Sequence, residues 1–441
     1  MKLLILTTYY PPDTAIAAVR PYMLAKYLSQ RGHCVTVLRS GEISQNCDES
    51  LAPLPSVRVI SYLGENSPAE AYARGQWQVA EDHGKSRIDF LPKIFRLPIS
   101  RCFHFLTRNK AFDQFVKTRM GLLEKQKAAL DSLKGESFDV VFSTVGEFEN
   151  ALAGQYAAKV FGCPLIQDFR DPMTNRALRS KKQFSFYRKL QTEAVQKADA
   201  CTVVSRDLLQ KICPDAKNTM VLYNGYEPLA QNQISKTESD EVLTICYTGS
   251  IYKYKQDFSP LLSAIRHLAN QDRLSAKKLR LHYAGKDFDY LHHQADKLGL
   301  AEILVNHGSV DRTDAATIQA NADVFLVLSW NTEQEKGVLT GKFYEGIRAK
   351  KPILALVAGD VPGSELHLIN EQYRYGFCYE NCRESQQFEK LCDYLETAYK
   401  EKMELGAVGY APDSALETDF RYDTLAQSLE KLCLQLLEEK K

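Results

Sequence analysis

The sequence predicts an α/β protein built as two doubly wound, parallel-sheet domains. Three observations carry this. At 441 residues the chain exceeds what one hydrophobic core usually supports, so two domains of roughly 200 residues each are expected. Strand-like apolar runs alternate with helix-like stretches along most of the chain, the pattern of strands joined by crossover helices. Between two such series, the turn signal Asn224-Gly225 opens a polar stretch, Tyr226 to Glu241, rich in Gln, Ser, Asn and charge.

In chain order, the first half offers strands at Leu3 to Leu6, Val35 to Leu38, Val57 to Ile60, Val140 to Phe142, Leu165 to Gln167, Ala200 to Val204 and Met220 to Tyr223. Ala17 to Gln30 is the first amphipathic helix, and Gly32 ends it where a left-handed residue costs least. The second half resumes with strands at Leu243 to Tyr247, Leu279 to Tyr283, Ile303 to Asn306, Val324 to Leu328 and Ile353 to Val357, with helices such as Pro260 to Asn270 and Asp314 to Ala322 between them. Beyond Asp419, the spacing of Leu425, Leu429, Leu432, Leu436 and Leu437 predicts a terminal amphipathic helix. The expected division is therefore 1–225, a linker 226–241, a second domain 242–410 and a terminal helix within 411–441.

Composition narrows the function. An apolar fraction of 44% and a charged fraction of 25% are ordinary for a folded soluble chain, and a net charge of +1 gives no global attraction to nucleic acid. Eleven cysteines form no CxxC pair or secreted framework, which fits the reducing cytoplasm. Nine dispersed histidines suggest no metal-centred mechanism, and the adjacent His292-His293 cannot share one helix face. The apolar start, Met1 to Leu6, stops at Thr7-Thr8-Tyr9-Tyr10-Pro11-Pro12 and reads as a buried strand rather than a signal peptide. No apolar run reaches the roughly 18 residues that span a bilayer, so the expectation is a soluble or peripheral protein. From Lys85 to Lys127, Lys and Arg far outnumber acids and are interleaved with Phe90, Phe95, Phe103, Phe105, Phe112 and Phe115. Such a stretch fits either an anionic membrane surface or a basic exposed face with aromatics in the core.

Ligands in open α/β sheets bind beyond the carboxyl ends of strands, so the residues after each strand weigh most. Gly341-Lys342-Phe343-Tyr344-Glu345-Gly346 places a flexible glycine, a cation and an anion at a helix start. Unpaired N–H groups and the positive dipole end attract phosphate there, while Glu345 can accept hydrogen bonds from a ribose; a solvated ion pair is the plainer alternative. Gly249-Ser250, followed by Lys253 and Lys255, offers small residues and cations after another strand, as a diphosphate needs. Asp168-Phe169-Arg170-Asp171-Pro172 fits an internal ion-pair network or the polar wall of a cleft. Tyr10-Pro11-Pro12-Asp13 fits a rigid turn before a helix or part of the same wall.

Taken in order, these segments resemble the family 4 retaining glycosyltransferases of the GT-B fold, of the polysaccharide-biosynthesis type. Further matching segments are Leu24-Ala25, Arg31-Gly32-His33-Cys34-Val35-Thr36-Val37, Val221-Leu222-Tyr223-Asn224-Gly225, Tyr247-Thr248-Gly249-Ser250, His307-Gly308 and Ala322-Asp323-Val324. The resemblance implies two facing Rossmann-like domains, an acceptor site on the first, a donor site on the second, and a terminal helix returning to the first. It implies a hexosyltransferase-type enzyme without a metal or other cofactor. The donor partner would be a nucleotide-diphosphate sugar and the acceptor a glycan or lipid-linked chain, in the cytoplasm, free or peripheral on the inner face of the membrane. Lys342, Glu345, Lys253 and Lys255 would be catalytic. Gly249, Ser250, Gly308, Thr340, Gly341, Lys342 and Glu345 would hold the donor. Asp13, Glu149, Asn150, Asp168, Arg170 and Asp171 would form the acceptor side. Two positions depart from the family pattern. Gly337 stands where the first of two glutamates eight apart belongs, with Glu333 or Glu335 as substitutes from a shifted loop. Ala151 stands where a histidine is common, leaving Glu147, Glu149 or Asn150 to orient the acceptor. A sugar-nucleotide epimerase and a catalytically silent carbohydrate or nucleotide-binding partner are the competing readings.

Overall fold

The computed structural model describes residues 1–13, 15–40, 51–63, 93–175, 180–228 and 241–440, of which 93–109 and 175 are described by backbone alone. The chain forms two compact units, one of Met1–Val203, Leu209–Val221 and Ala426–Lys441, the other of Val204–Leu208 and Leu222–Leu425.

The first unit holds a parallel sheet of β1 (Lys2–Leu6), β2 (Cys34–Arg39), β3 (Val57–Ser61), β4 (Val140–Val145), β5 (Leu165–Phe169), β6 (Ala200–Val203) and β7 (Thr219–Val221). Their order is β3-β2-β1-β4-β5-β6-β7, so the winding reverses between β1 and β4. Strands β1 and β4 are covered on both faces, and accordingly Leu3 to Leu6 and Val140 to Phe142 read as unbroken apolar runs. The helices here are α1 (Ile16–Gln30), α2 (Lys93–Asp131), α3 (Phe148–Phe161), α4 (Lys181–Gln196) and α5 (Arg206–Ile212). Helix α1 ends as expected, with Gly32 at φ 85°.

Helix α2 is the main departure from the expected elements. Of its 39 residues, those from Lys93 to Lys127 fall in the stretch read only as basic and aromatic. Phe112 is buried against Phe186 and Tyr187, whereas Lys110, Lys117 and Lys125 are exposed. In this last part Phe112 thus serves the core, whereas Phe115 is half-buried under the Arg119 guanidinium. Residues 85–92, and Trp77 before them, lie outside the described residues.

The second unit holds β8 (Leu243–Thr248), β9 (Leu279–Ala284), β10 (Leu304–Gly308), β11 (Val324–Trp330), β12 (Ile353–Ala358) and β13 (Gly376–Glu380), ordered β10-β9-β8-β11-β12-β13 and again parallel. Here the reversal lies between β8 and β11. Its helices are α6 (Ser259–Asn270), α7 (Phe288–Asp296), α8 (Arg312–Asn321), α9 (Gly341–Ala349), α10 (Glu365–Tyr373), α11 (Glu384–Leu405) and α12 (Ala415–Asp419), followed by the start, up to Leu425, of α13 (Tyr422–Glu439). Strand β13 was not expected from the sequence. Its first residue, Gly376, has φ 147° and lies so close to β12 that a Cβ would stand 2.3 Å from the Ile353 carbonyl oxygen.

The Asn224-Gly225 turn is pinned rather than free. A Cβ on Gly225 would meet Phe420 O at 2.7 Å, and Tyr226 donates its N–H to the same carbonyl at 3.0 Å. Residues 229–240 of the expected linker lie outside the described residues. The terminal helix α13 buries Leu425, Leu429, Leu432 and Leu436, the predicted stripe, and its residues from Ala426 onward belong to the first unit.

Candidate functional site

In the second unit the reversal between β8 and β11 is the point where an open sheet leaves a crevice at its carboxyl edge. Gly249, the residue after β8, has φ 128°, a backbone open to glycine and costly for other residues. A Cβ there would stand 2.8 Å from Lys342 Cε, so the lysine stem lies directly across the glycine backbone. Lys342 is the second residue of α9, which follows β11. Two segments 93 positions apart in the chain thus meet where the winding reverses.

Lys342 Nζ donates to both oxygens of Glu345, each at 2.8 Å. Glu345 Oε2 also accepts from Gln319 Nε2 at 2.6 Å, and the same amide nitrogen reaches Thr248 Oγ1 at 2.8 Å. Arg348 Nη2 donates to Gln319 Oε1 at 3.1 Å. Gln319 is buried, and through it the end of β8 and the first two turns of α9 are held in one hydrogen-bonded network. Sequence reasoning missed Gln319, Thr248 and Arg348. The one local signal is a polar residue between Ile318 and Ala320 in a helix, and its partners come from elsewhere in the chain.

Thr340 caps α9 with extended backbone, φ −73° and ψ 154°, but its side chain does not bond the helix N–H groups. Its buried Oγ1 has no hydrogen-bond partner among the described residues. The α9 N-terminus therefore keeps the donor capacity and positive dipole end that an anion needs.

Glycines line the neighbouring strand ends. Gly249 N–H donates to Ala284 O and Gly285 N–H to Gly308 O, both at 2.7 Å. A Cβ on Gly285 would stand 2.3 Å from Gly249 O. Gly308, at φ 66°, has open space around it, and Ser250 is exposed.

The remaining predicted cations are engaged elsewhere. Lys253 Nζ lies 3.5 Å from Asp287 and 6.0 Å from the Tyr290 ring centroid. Lys255 Nζ bonds both Glu335 oxygens, at 2.8 and 2.6 Å, and lies 4.9 Å from the Trp330 ring centroid. Trp330 Nε1 donates to the same carboxylate at 2.6 Å. Among the described residues no contact joins Lys253 or Lys255 to Gly249 or Lys342, and each is paired with an acid, Asp287 and Glu335. Glu333 pairs with Lys336 at the surface, so Glu335 is the better-anchored of the two candidate substitutes. Gly337 has a steric reason: at φ 71° a Cβ would stand 2.4 Å from Ser205 Oγ and 2.8 Å from Asp207 Cβ.

In the first unit, the residues expected on the acceptor side divide by burial. Asp168 is fully buried and saturated by Arg20, at 2.8 and 3.1 Å, and by Thr202 at 2.7 Å. Glu149 is equally buried and takes a hydrogen bond from Arg119 at 2.9 Å, while Glu147 lies 3.3 Å from the same guanidinium. Asn150 accepts from Gln126 and donates to Thr8 Oγ1, at 2.7 and 2.8 Å, tying the segments after β4 and β1 together. Asp13, also buried, accepts from Ala15 N–H at 2.8 Å. These four hold the loops from inside, and the contacts of Asp168 with Arg20 and Thr202 are those of the internal-network alternative. Arg170, which donates to Ala17 O at 3.2 Å, and the exposed Asp171 are less enclosed. Next to this network, burial and then Tyr22 push the Tyr10 hydroxyl well above its ordinary pKa, and it stays neutral.

Residues 230–411 match the family described as "Glycosyl transferases group 1". Nothing among curated proteins matches the chain in sequence. Solved structures are similar over its whole length. Sucrose-phosphate synthase from Thermosynechococcus elongatus aligns at 11% identity and TM-score 0.59, covering 100% of both chains. Anabaena Alr3699/HepE in complex with UDP and glucose aligns at 15% identity and TM-score 0.53, covering 99% of this chain and 100% of its own. The E. coli trehalose-6-phosphate protein bound with UDP-2-fluoro glucose aligns at 12% identity and TM-score 0.59, covering 99% of each. The chain has the GT-B fold.

Proposed function

We propose that this protein is a retaining, metal-independent glycosyltransferase that moves a sugar from a nucleotide-diphosphate donor to a glycan or lipid-linked acceptor in surface polysaccharide synthesis. The observation that carries the reading is Lys342 lying across Gly249 at the reversal between β8 and β11, with Glu345 fixed beside it. The group 1 match over residues 230–411 contains every one of these residues. Two neighbours solved with UDP and glucose and with UDP-2-fluoro glucose support the donor class.

In this reading the diphosphate settles over Gly249, where no side chain obstructs it, against the open N-terminus of α9. Lys342 leaves Glu345 for the phosphate, an exchange made easy because a partly exposed ion pair is worth about 0–1 kcal/mol. Glu345, still held by Gln319, turns its freed lone pairs to the ribose hydroxyls. As the glycosidic bond breaks, charge gathers on the departing diphosphate, and the lysine and the helix end stabilise it where it develops. Acceptor attack on the face that the leaving group vacates retains the anomeric configuration.

A cytoplasmic location, with contact to an anionic membrane through the Lys85 to Lys127 segment, belongs to the same proposal. Among the described residues no helix is long and apolar enough to cross a membrane. The test is incubation of the purified protein with UDP-, GDP- and dTDP-sugars. Slow release of free sugar, lost in Lys342→Ala, is expected. Conversion to an epimeric nucleotide sugar, or binding with no turnover under any acceptor condition, overturns the transferase.

A further inference from the structure

Outside the donor site, one cluster brings three different metal-ligating side chains together. His267 lies in the last turn of α6, and Glu389 and Cys392 are three residues apart on α11. A ring nitrogen of His267, a carboxylate oxygen of Glu389 and Cys392 Sγ all lie within 4.8 Å of one another. Residues three apart share a helix face, and the two helices are packed with the His267 ring 5.7 Å from that of Phe388. That separation leaves room between the three atoms for a tetrahedral site, in which ligand bonds are about 2.0 to 2.3 Å long. The carboxylate arm of the exposed Glu389 is free to close it.

The neighbours set Glu389 apart. Arg273 engages both Asp393, at 3.1 Å, and Glu396 on the same helix. Glu389 has no cation partner among the described residues. Cys392 is fully buried in the apolar core of the unit, so a metal there would sit at a boundary, with sulfur and imidazole below and carboxylate and solvent above.

We propose that His267, Glu389 and Cys392 bind one thiophilic divalent cation of the zinc class, with water as the fourth ligand. A set of imidazole, thiolate and carboxylate suits zinc or cobalt, and excludes magnesium and calcium, which take oxygen. On binding, the Cys392 thiol loses its proton to solvent as the sulfur–metal bond forms. Helix α6 runs back from the carboxyl edge of β8, so its last turn lies toward the opposite edge from Gly249 and Lys342. The cation therefore ties α6 to α11 and takes no part in sugar transfer. The sequence conceals this site because Glu389 lies more than a hundred positions beyond His267.

The test is titration of the reduced, intact protein with Co2+ alone. One equivalent is expected to give a near-ultraviolet thiolate-to-cobalt charge-transfer band together with the visible bands of four-coordinate cobalt, both bleached by Zn2+. Cys392→Ser should abolish the ultraviolet band. Glu389→Gln, at an exposed position that leaves folding intact by circular dichroism, should weaken cobalt binding at least about tenfold, as loss of one ligand does. His267→Ala should do the same. Absence of the ultraviolet band, its persistence in Cys392→Ser, or unchanged affinity in both Glu389→Gln and His267→Ala overturns the proposal.

Discussion

At the scale of single residues, the donor site is a contact between a glycine without a side chain and a lysine that uses the space. Lys342→Ala is expected to lower kcat by at least about a hundredfold, the cost of removing one pre-placed group from a developing oxyanion. It should leave the melting temperature nearly unchanged, because its pair with Glu345 is partly exposed. Steady-state kinetics beside a thermal melt check both halves. Gly249→Ala attacks the same contact from the other side: its Cβ would stand 2.8 Å from Lys342 Cε at a backbone angle that costs non-glycine residues about 1–3 kcal/mol. Donor turnover should fall in this variant too, and normal turnover with a normal melt would contradict the assigned contact. Gly249, Lys342 and Glu345 were legible because each sits directly after a strand or at a helix start, a local signal. Gln319 was not, since a buried glutamine acquires its role only from Glu345 and Thr248, which other segments supply. For Lys253 and Lys255 the sequence said less, because spacing shows that cations are near a strand end but not which acid each one finds, here Asp287 and Glu335.

At the scale of elements, buried charge fixes how helices seat on the second unit's sheet. Lys402 Nζ of α11 donates to Asp323 Oδ1 at 2.9 Å, and Asp323 Oδ2 accepts the Thr244 N–H at 3.0 Å, so one carboxylate joins α11, β8 and the start of β11. Both side chains are about 4% exposed, and removing one partner leaves an uncompensated interior charge. Lys402→Ala is expected to cost about 3–5 kcal/mol, read as a lower urea midpoint at unchanged slope. Helix α13 gives a pH-dependent counterpart within the first unit. Burial alone would raise the Glu430 pKa, but hydrogen bonds from Arg31 Nε and His33 Nε2, each at 2.6 Å, outweigh it and hold the carboxyl below its ordinary range. A pKa depressed in the folded state contributes stability that is present above the unfolded value, about 4.3, and is lost as pH falls through the folded one. Urea midpoints measured from pH 6 downward should therefore fall less steeply in Glu430→Gln than in the parent. The terminal helix itself was readable from its leucine spacing. Strand β13 was not, because a five-residue edge strand beginning with glycine carries little periodic signal, and its place is set by contact with Ile353.

At the scale of the whole molecule, both units repeat one device: a parallel sheet whose winding reverses beside its first strand, between β1 and β4 in one and β8 and β11 in the other. Apart from helix α2 and strand β13, the strand and helix alternation that produces it was legible, since strands buried on both faces are largely apolar. The burial of Glu149, Asn150 and Asp168 was not, because a polar residue at a strand end reads alike whether it faces solvent or an arginine brought in by another helix. The two reversals also differ in what they enclose. The first is filled by its own network of Thr8, Asn150 and Gln126, whereas the second leaves glycine backbone and an uncapped helix end. A charged ligand should therefore stabilise the protein through the second. A nucleoside diphosphate present at 100 times its Kd is expected to add about 2.7 kcal/mol of stability, visible as a raised melting temperature. UDP, GDP and dTDP compared at equal concentration would rank the base. The shift should disappear in Lys342→Ala and survive Arg170→Ala, since Arg170 belongs to the first unit. The reverse pattern would move the donor to the first unit and overturn the assignment of the two sheets.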